Sequence, residues 1–432
     1  MPALSFLKKI AGQPRYAGTS GEREACTMIS TEFANLGCDV EKEETEYIQS
    51  ERYLVYSRLI LLGVMFLLFA SPRWIHPLLV VTLIVGLSAF WSRIHPWIEL
   101  KLARTSSNNV VATINPDKEE RLILCGHYDS SRVIGGFTQR HQRALLGIAP
   151  FLSLVLMLYI VLLFGRGVGL LVTDGFDVAT LFQSTSAMTG LWGIIWLFYV
   201  ILFGGMGIAG TYFLLTYLSE KMSYGADDNA SGIAVMLEVA RILKGIDLNL
   251  RVDFACFAAE EKGLFGSRKW VNKHVQELDR TRTYILNLDC VGRGKTFFIN
   301  KGLGAIFKKR SDPMLFNMVC SSCSDLQYPY REGWGGASDH AEFLRKKLRC
   351  CAIMRCDEVR ASIAHKVLRR VFGIPIRGEV ISFMDWIHTK RDVVEQIDEE
   401  RLDETTQLVM KFIEKLNGKV SSDRLDDMWG GS

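Results

Sequence analysis

His127, Asp228, Glu260, Glu261, Asp289 and His340 each stand where an apolar run ends or a helix begins. His127-Tyr128-Asp129-Ser130 follows Leu122–Cys125, Glu260-Glu261 follows Val252–Phe257, and Asp289 follows Tyr284–Leu288. Asp227-Asp228-Asn229 precedes a helix-forming stretch, and Ser338-Asp339-His340 closes a Gly-rich loop. Two imidazoles and three carboxylates are the donor count that a pair of zinc ions requires, with one carboxylate bridging and one position left for water. A further carboxylate beside them, as Glu260 is beside Glu261, would move a proton of that water. In extended backbone two adjacent side chains point to opposite sides. At a strand's end the chain turns, so one Glu can bind metal while the other faces the water. A single His after a strand or an Asp-Asp-Asn before a helix is by itself an ordinary surface or capping feature. Their joint occurrence points to a site.

These clusters sit on alternating elements. Thr19 and Glu22 form a capping box ahead of a helix with Ala25, Met28, Ile29, Phe33 and Leu36 inward and Gly37 at its end. Strands are predicted at Asn109–Ile114, Arg121–Cys125, Leu250–Phe257, Tyr284–Leu288 and Cys351–Met354. Helices are predicted at Ser231–Leu243 and Leu402–Leu416, the latter ended by Gly418. Strands alternating with helices imply an α/β fold with a mainly parallel sheet covered on both faces. Ligands of such sheets gather outside the carboxyl ends of the strands, where the clusters stand. The short link Asn115–Glu120 predicts that the first two strands pair as an antiparallel hairpin.

Apolar residues make up 49% of the chain beside 23% charged, and they gather in blocks. Segments near 54–71, 75–92, 145–164 and 191–217 read as transmembrane helices. Leu145–Phe164 and Leu191–Tyr217 carry no charge and are long enough for a hydrocarbon core of about 30 Å. An even number of spans puts 1–53, 93–143 and 218–432 in one compartment. Arg52, Arg58, Arg93, Lys101, Arg104, Arg140, Arg143 and Lys221 flank the spans on that side, against Arg73 and Arg166 on the other. This bias predicts an integral, multi-pass membrane protein whose polar part is cytoplasmic. No secretory leader is read at the start, because the apolar run there precedes Lys8 and Lys9. The expected division is a discontinuous polar domain (1–53, 93–143 and 218–418), a transmembrane hairpin (54–92), a second helix pair (144–217) and a disordered tail (419–432).

Together the polar segments resemble the co-catalytic di-zinc metallopeptidase family that includes secreted bacterial leucyl aminopeptidases, glutaminyl cyclases and glutamate carboxypeptidases. The resemblance begins at Arg15–Gly21 and runs through His127–Ser130, Gly225–Gly232, Ala258–Ser267, Asn287–Gly292 and Ser338–Phe343. It closes at His388-Thr389 with Asp392. It covers nearly all of the polar sequence and none of the apolar blocks. It implies the zinc-aminopeptidase α/β/α sandwich with two Zn2+ per chain. His127 and Asp289 would serve one metal and Glu261 and His340 the other, with Asp228 bridging and a cis bond before Asn229. Asp129 would orient His127, Glu260 would be the general base, and His388 an outer group near the site. The activity implied is removal of amino-terminal residues from peptides or proteins. Alternatives are a glutaminyl cyclase or carboxypeptidase of the same fold, or an inactive receptor-like or scaffold membrane protein.

Three stretches depart from the family pattern: the two apolar blocks, and an insertion at Asp357–Glu379 within the basic region Arg345–Arg377, a candidate contact for anionic lipid. Because both apolar blocks leave the polar domain near the predicted site, the site is expected to face the bilayer. A net charge of +4 and the lack of any nucleic-acid motif give no reason to expect a nucleic-acid partner. The ten cysteines form no disulfide framework, and Cys320 and Cys323 read as buried, inert thiols.

Overall fold

Leu122 to Cys125 are buried on both sides of their strand, as expected for the middle of a sheet covered by two layers. A computed structural model describes residues 3–48, 104–133, 221–303, 309–360, 379–382 and 386–429, with a few isolated helical positions between 63 and 172. In chain order the described elements are α1 (Ala3–Ile10), α2 (Ser20–Asn35), β1 (Asp39–Ile48), β2 (Arg104–Ile114), β3 (Arg121–His127), α3 (Gly232–Leu243) and β4 (Arg251–Phe257). They continue with α4 (Phe265–His274), β5 (Thr283–Leu288), β6 (Thr296–Asn300), a small ribbon of β7 (Gly302–Leu303) and β8 (Lys309–Arg310), and α5 (Pro313–Asp325). The last are β9 (Tyr330–Gly333), α6 (His340–Arg345), β10 (Arg349–Arg360), β11 (Glu379–Ser382) and α7 (Glu399–Trp429).

The main sheet has the order β1-β2-β4-β3-β5-β10-β6-β9, with β11 extending β10. Its centre, β4-β3-β5-β10, is parallel, and β2 and β6 flank it antiparallel. Alternate strand residues feed two cores. Leu122, Leu124, Phe254 and Leu286 pack with α1, α2, α3, α5 and α7, while Ile123, Cys125, Ala255 and Ile285 pack with α4 and α6. The expected α/β/α sandwich is therefore present. Cys320 and Cys323 face the first core from α5, and burial pushes both thiols up to about 12, as inert cysteines require.

Three expectations are corrected. The hairpin between the first two strands is absent, because β4 lies between β2 and β3 and β3 is parallel to both its neighbours. The link 115–120 crosses the end of β4, where Arg251 N donates to Glu120 O at 2.8 Å. A short link fixes only how far apart two strands lie, not whether a third fits between them. Second, Gly418 does not end the last helix, and 419–429 is no disordered tail. Helix α7 continues because the residues beyond Gly418 have partners: Val420 is in the core and Ser421 Oγ accepts from Asn249 Nδ2 at 2.9 Å. Third, the sheet is wider than the five predicted strands, because β1, β6 and β9, which mix polar and apolar residues, add to its edges.

The four apolar segments fall, apart from the isolated positions, outside the described residues. Among the described residues no helix is long and apolar enough to cross a membrane. The roots of the three departures are described. Ile48 pairs with Arg104, Val133 N donates to Lys221 O at 2.8 Å, and Asp357 pairs with Ser382. Each root lies beyond the carboxyl end of the parallel strands, past the level at which His127 pairs with Phe257 and Ile353 with Leu288.

A Cβ at Gly418 would meet nothing within 4 Å. Replacing an exposed helical glycine with alanine lowers the entropy of the unfolded chain, so Gly418→Ala is expected to stabilise by about 0.5–1 kcal/mol in urea denaturation. A loss of stability would return Gly418 to a helix-ending, left-handed conformation.

Candidate active site

The turn 225–231 begins with Gly225 at φ +59, in the left-handed region that glycine adopts without strain. A Cβ there would lie 2.4 Å from Asp228 O and 2.6 Å from Ser130 Cβ, so no side chain fits. The peptide bond between Asp228 and Asn229 is cis, as the resemblance implies. Side chains hold this turn from three directions. Asp392 accepts from Asp227 N (2.6 Å) and Asp228 N (3.2 Å). Asp227 accepts from Gly292 N at 2.8 Å and from Trp386 Nε1 at 2.6 Å. Asn229 Nδ2 donates to Leu288 O at 2.8 Å, and its Oδ1 accepts from Gly232 N at 3.0 Å. Asp228 is thus fixed beside the end of β5.

The glutamate pair is set by a fourth carboxylate. Asp129 Oδ1 accepts from Glu260 N at 3.0 Å and Oδ2 from Glu261 N at 3.2 Å. Its Oδ1 also lies 3.5 Å from His127 Nδ1. His127 Nδ1 is closer still to the Asp129 carbonyl oxygen, at 3.1 Å, so this one residue orients the imidazole at the end of β3 through its backbone and the turn after β4 through its carboxylate. Ala259, Cys290 and His388 all adopt positive φ (52, 54 and 56). Non-glycine residues seldom do so, and here they re-aim the chain around the acids of the site.

Two groups of donors result. His127, Asp228 and Asp289 place ligand atoms within 4.8 Å of one another, and so do Asp228, Glu261 and His388. Asp228 belongs to both. Its Oδ1 is 3.2 Å from His127 Nε2 and its Oδ2 is 3.1 Å from His388 Nε2. Glu261 Oε1 lies 3.2 Å from the same His388 nitrogen. His340, expected in the second group, is in neither. It opens α6 with its Nε2 accepting from Asn300 Nδ2 at 3.0 Å, and burial holds it down to about 4, so it is neutral. The imidazole beside Glu261 is that of His388, expected only as an outer group. The sequence does not show which of two distant histidines the fold brings to Glu261.

The electrostatics call for cations. Burial lifts Glu260 well above the usual carboxylate range, and Glu261, Asp339 and Asp289 add to this against the pull of His127. Burial, with Asp228, lifts Glu261 as well. Burial opposes charge on His127 and His388, yet the surrounding carboxylates push both well above the ordinary histidine range. Asp228 is held low by those two histidines in spite of its burial. Carboxylates outnumber imidazoles at this buried place, and nitrogen and oxygen donors at this spacing fit a pair of zinc ions.

Arg15 had a place in the sequence motif but no role. It is fully buried and donates from Nε to Tyr128 O (2.7 Å), from Nη1 to Ile10 O (3.2 Å) and Tyr224 O (2.7 Å), and from Nη2 to Gly225 O (2.8 Å). Asn300 and Trp386 were not singled out at all; each lies outside the quoted motifs and meets the site only through folding.

Residues 213–413 match the model of peptidase family M28, a stretch that contains Asp228, Glu260, Glu261, Asp289, His340 and His388 but not His127. Aminopeptidase YwaD of Bacillus subtilis (strain 168) is 32% identical over 200 residues, which are 45% of this chain and 38% of that protein. The probable glutamate carboxypeptidase AMP1 of Arabidopsis thaliana is 32% identical over 104 residues, 23% of this chain and 15% of that one. The chain thus spans well under half the length of these curated relatives. The structure of Porphyromonas gingivalis glutaminyl cyclase matches with a TM-score of 0.54 at 17% identity, covering 96% of this chain and 97% of that one. A zinc-dependent exopeptidase from Parabacteroides distasonis matches with a TM-score of 0.51 at 15% identity, covering 95% and 96%. At such identities the likeness is one of fold.

Asp129→Ala frees the Glu260–Glu261 turn and removes the carboxylate beside His127, whose Nδ1 keeps only the carbonyl of residue 129. It is expected to weaken zinc binding by about 10- to 100-fold in a competitive chelator titration. Unchanged affinity would show that the turn holds its shape without the carboxylate.

Proposed function

We infer that this chain, related through residues 213–413 to the metallopeptidases of family M28, is a di-zinc aminopeptidase acting on peptide or protein amino termini. His127 and Asp289 would hold one zinc and Glu261 and His388 the other, with Asp228 shared. The observation that carries this reading is the division of Asp228: one oxygen faces His127 and the other faces His388. A carboxylate so placed would suit a position shared by two metals. When bound, zinc would polarise the scissile carbonyl and make the attacking water more acidic.

The chain's own residues supply the rest. Glu260 stands beside that donor set with its backbone held by Asp129. Lifted by burial, its carboxylate accepts the proton of the attacking water and then passes it to the leaving amine, a role worth about 10²–10⁴ in rate. His127 keeps its orientation through Asp129, and Asp392 and Asn229 keep Asp228 in place.

The apolar segments would anchor this domain in a bilayer with its polar part in the cytoplasm. In support, the roots at Ile48–Arg104 and Val133–Lys221 lie on the side of the sheet that carries the donors. Amino termini would then reach the cleft at the membrane surface.

Glu260→Gln is expected to keep two zincs and lose at least about 100-fold in kcat on aminoacyl amides. His388→Ala should drop zinc content from two to one, while His340→Ala should keep two; the reverse pattern would restore the assignment first read from the sequence. Replacing 50–102 and 135–219 by short turns should release the domain from membranes with its zinc sites intact. Full-length protein extracted by alkaline carbonate would sink the anchoring.

A further inference from the structure

Tyr16 joins the catalytic turn to a distant part of the chain. Its ring is 5% exposed and carries two cations: Lys262 Nζ is 4.2 Å and Arg132 Cζ 4.9 Å from the ring centroid. Lys262 directly follows Glu261, in a turn where Gly263 N and Leu264 N both donate to Glu260 O at 2.8 Å. Arg132 lies at the root of the departure 134–220, bridged to Met222 and followed by the Val133–Lys221 hydrogen bond. The backbone of Tyr16 is held in turn, its carbonyl accepting from Thr19 N (3.0 Å) and Thr19 Oγ1 (2.7 Å). The Tyr16 hydroxyl is buried and has no hydrogen-bond partner among the described residues, so the ring face carries these contacts.

A cation over an aromatic face is attracted by the ring quadrupole, more strongly where water is excluded, as at Lys262. Asp129 holds the backbone of this turn, and the contact of Lys262 with the ring adds a side-chain tie at its far side. A misplacement of about 1 Å in a reacting group can lower a rate by some two orders of magnitude.

We propose that Tyr16 is a positioning residue. By holding Lys262 and Arg132 over one ring, it ties the turn that carries Glu260 and Glu261 to the residues that follow β3, and so helps fix where the general base stands. This rests on the peptidase reading above.

The test compares full-length wild type with Tyr16→Phe, Tyr16→Leu, Lys262→Met and the Tyr16→Leu/Lys262→Met double variant, measuring kcat, KM and zinc release to a chelator. Tyr16→Phe keeps the ring and should stay within about two-fold of wild type, whereas Tyr16→Leu should lose about ten-fold in kcat with KM changed less than about two-fold. Lys262→Met should fall similarly, and the double variant no further than Tyr16→Leu alone. Wild-type kcat in Tyr16→Leu, equal losses in Phe and Leu, or multiplying losses in the double variant would each overturn the proposal. If Tyr16→Leu does not fold, Lys262→Met decides: an unchanged kcat overturns it. If wild type turns over no amide, the peptidase reading fails and zinc release becomes the measure. Tyr16→Leu should then still release one of two zincs about ten-fold more readily, and unaltered release overturns the coupling.

Discussion

Arg15 is fully buried, and its guanidinium donates to the carbonyl oxygens of Ile10, Tyr128, Tyr224 and Gly225. Three of those carbonyls belong to the loops that carry His127 and Asp228. A buried arginine is costly unless its donors are satisfied, and burial lowers this one to about 10, with Asp392, Asp129 and Asp228 opposing the fall. Only one relative placement of helix α1, the 128–130 loop and the 224–228 turn satisfies it. The distance between the histidine and the shared aspartate follows from that placement.

Around this fixed point, polar side chains act mostly on backbone. Asp129 holds two amides, Asp392 two more, and Asp227 another, while Asn229 bonds both a carbonyl and an amide. Such hydrogen bonds fix loops that the sheet alone would leave loose. The arrangement gathers negative charge in a buried place. Burial first and the neighbouring carboxylates second raise Glu260 and Glu261, and both effects dispose the site to take up cations.

The sheet decides which side of the molecule the site occupies. Four parallel strands end together, and their ends supply His127, the Glu260–Glu261 turn and Asp289. The departures from β1, from the loop after β3 and from β10 all leave beyond this same edge. Loops at the carboxyl ends of strands bear little of the core, so a chain can lengthen there without disturbing the layers. The site and the roots of these departures therefore share one face.

Much was legible before folding. The apolar runs of β3, β4 and β5 and the capping residue Thr19 express local physics, burial on two faces and an unpaired helix amide, and they read correctly from composition and spacing. His127, Asp228, Glu261 and Asp289 were picked out because their types suit a metal pair and each stands at the end of an element. What the residues could not disclose is long-range. β4 enters between β2 and β3 because hydrogen-bond pairing is settled across the whole sheet. Helix α7 passes Gly418 because Val420 and Ser421 find partners on other elements. His388 and not His340 reaches Glu261 because the chain returns beside Trp386 and Asp227, while Asn300 engages the other imidazole. Sequence determined the chemistry available at each position. Tertiary structure alone decided which donors meet, since that depends on contacts between residues far apart in the chain.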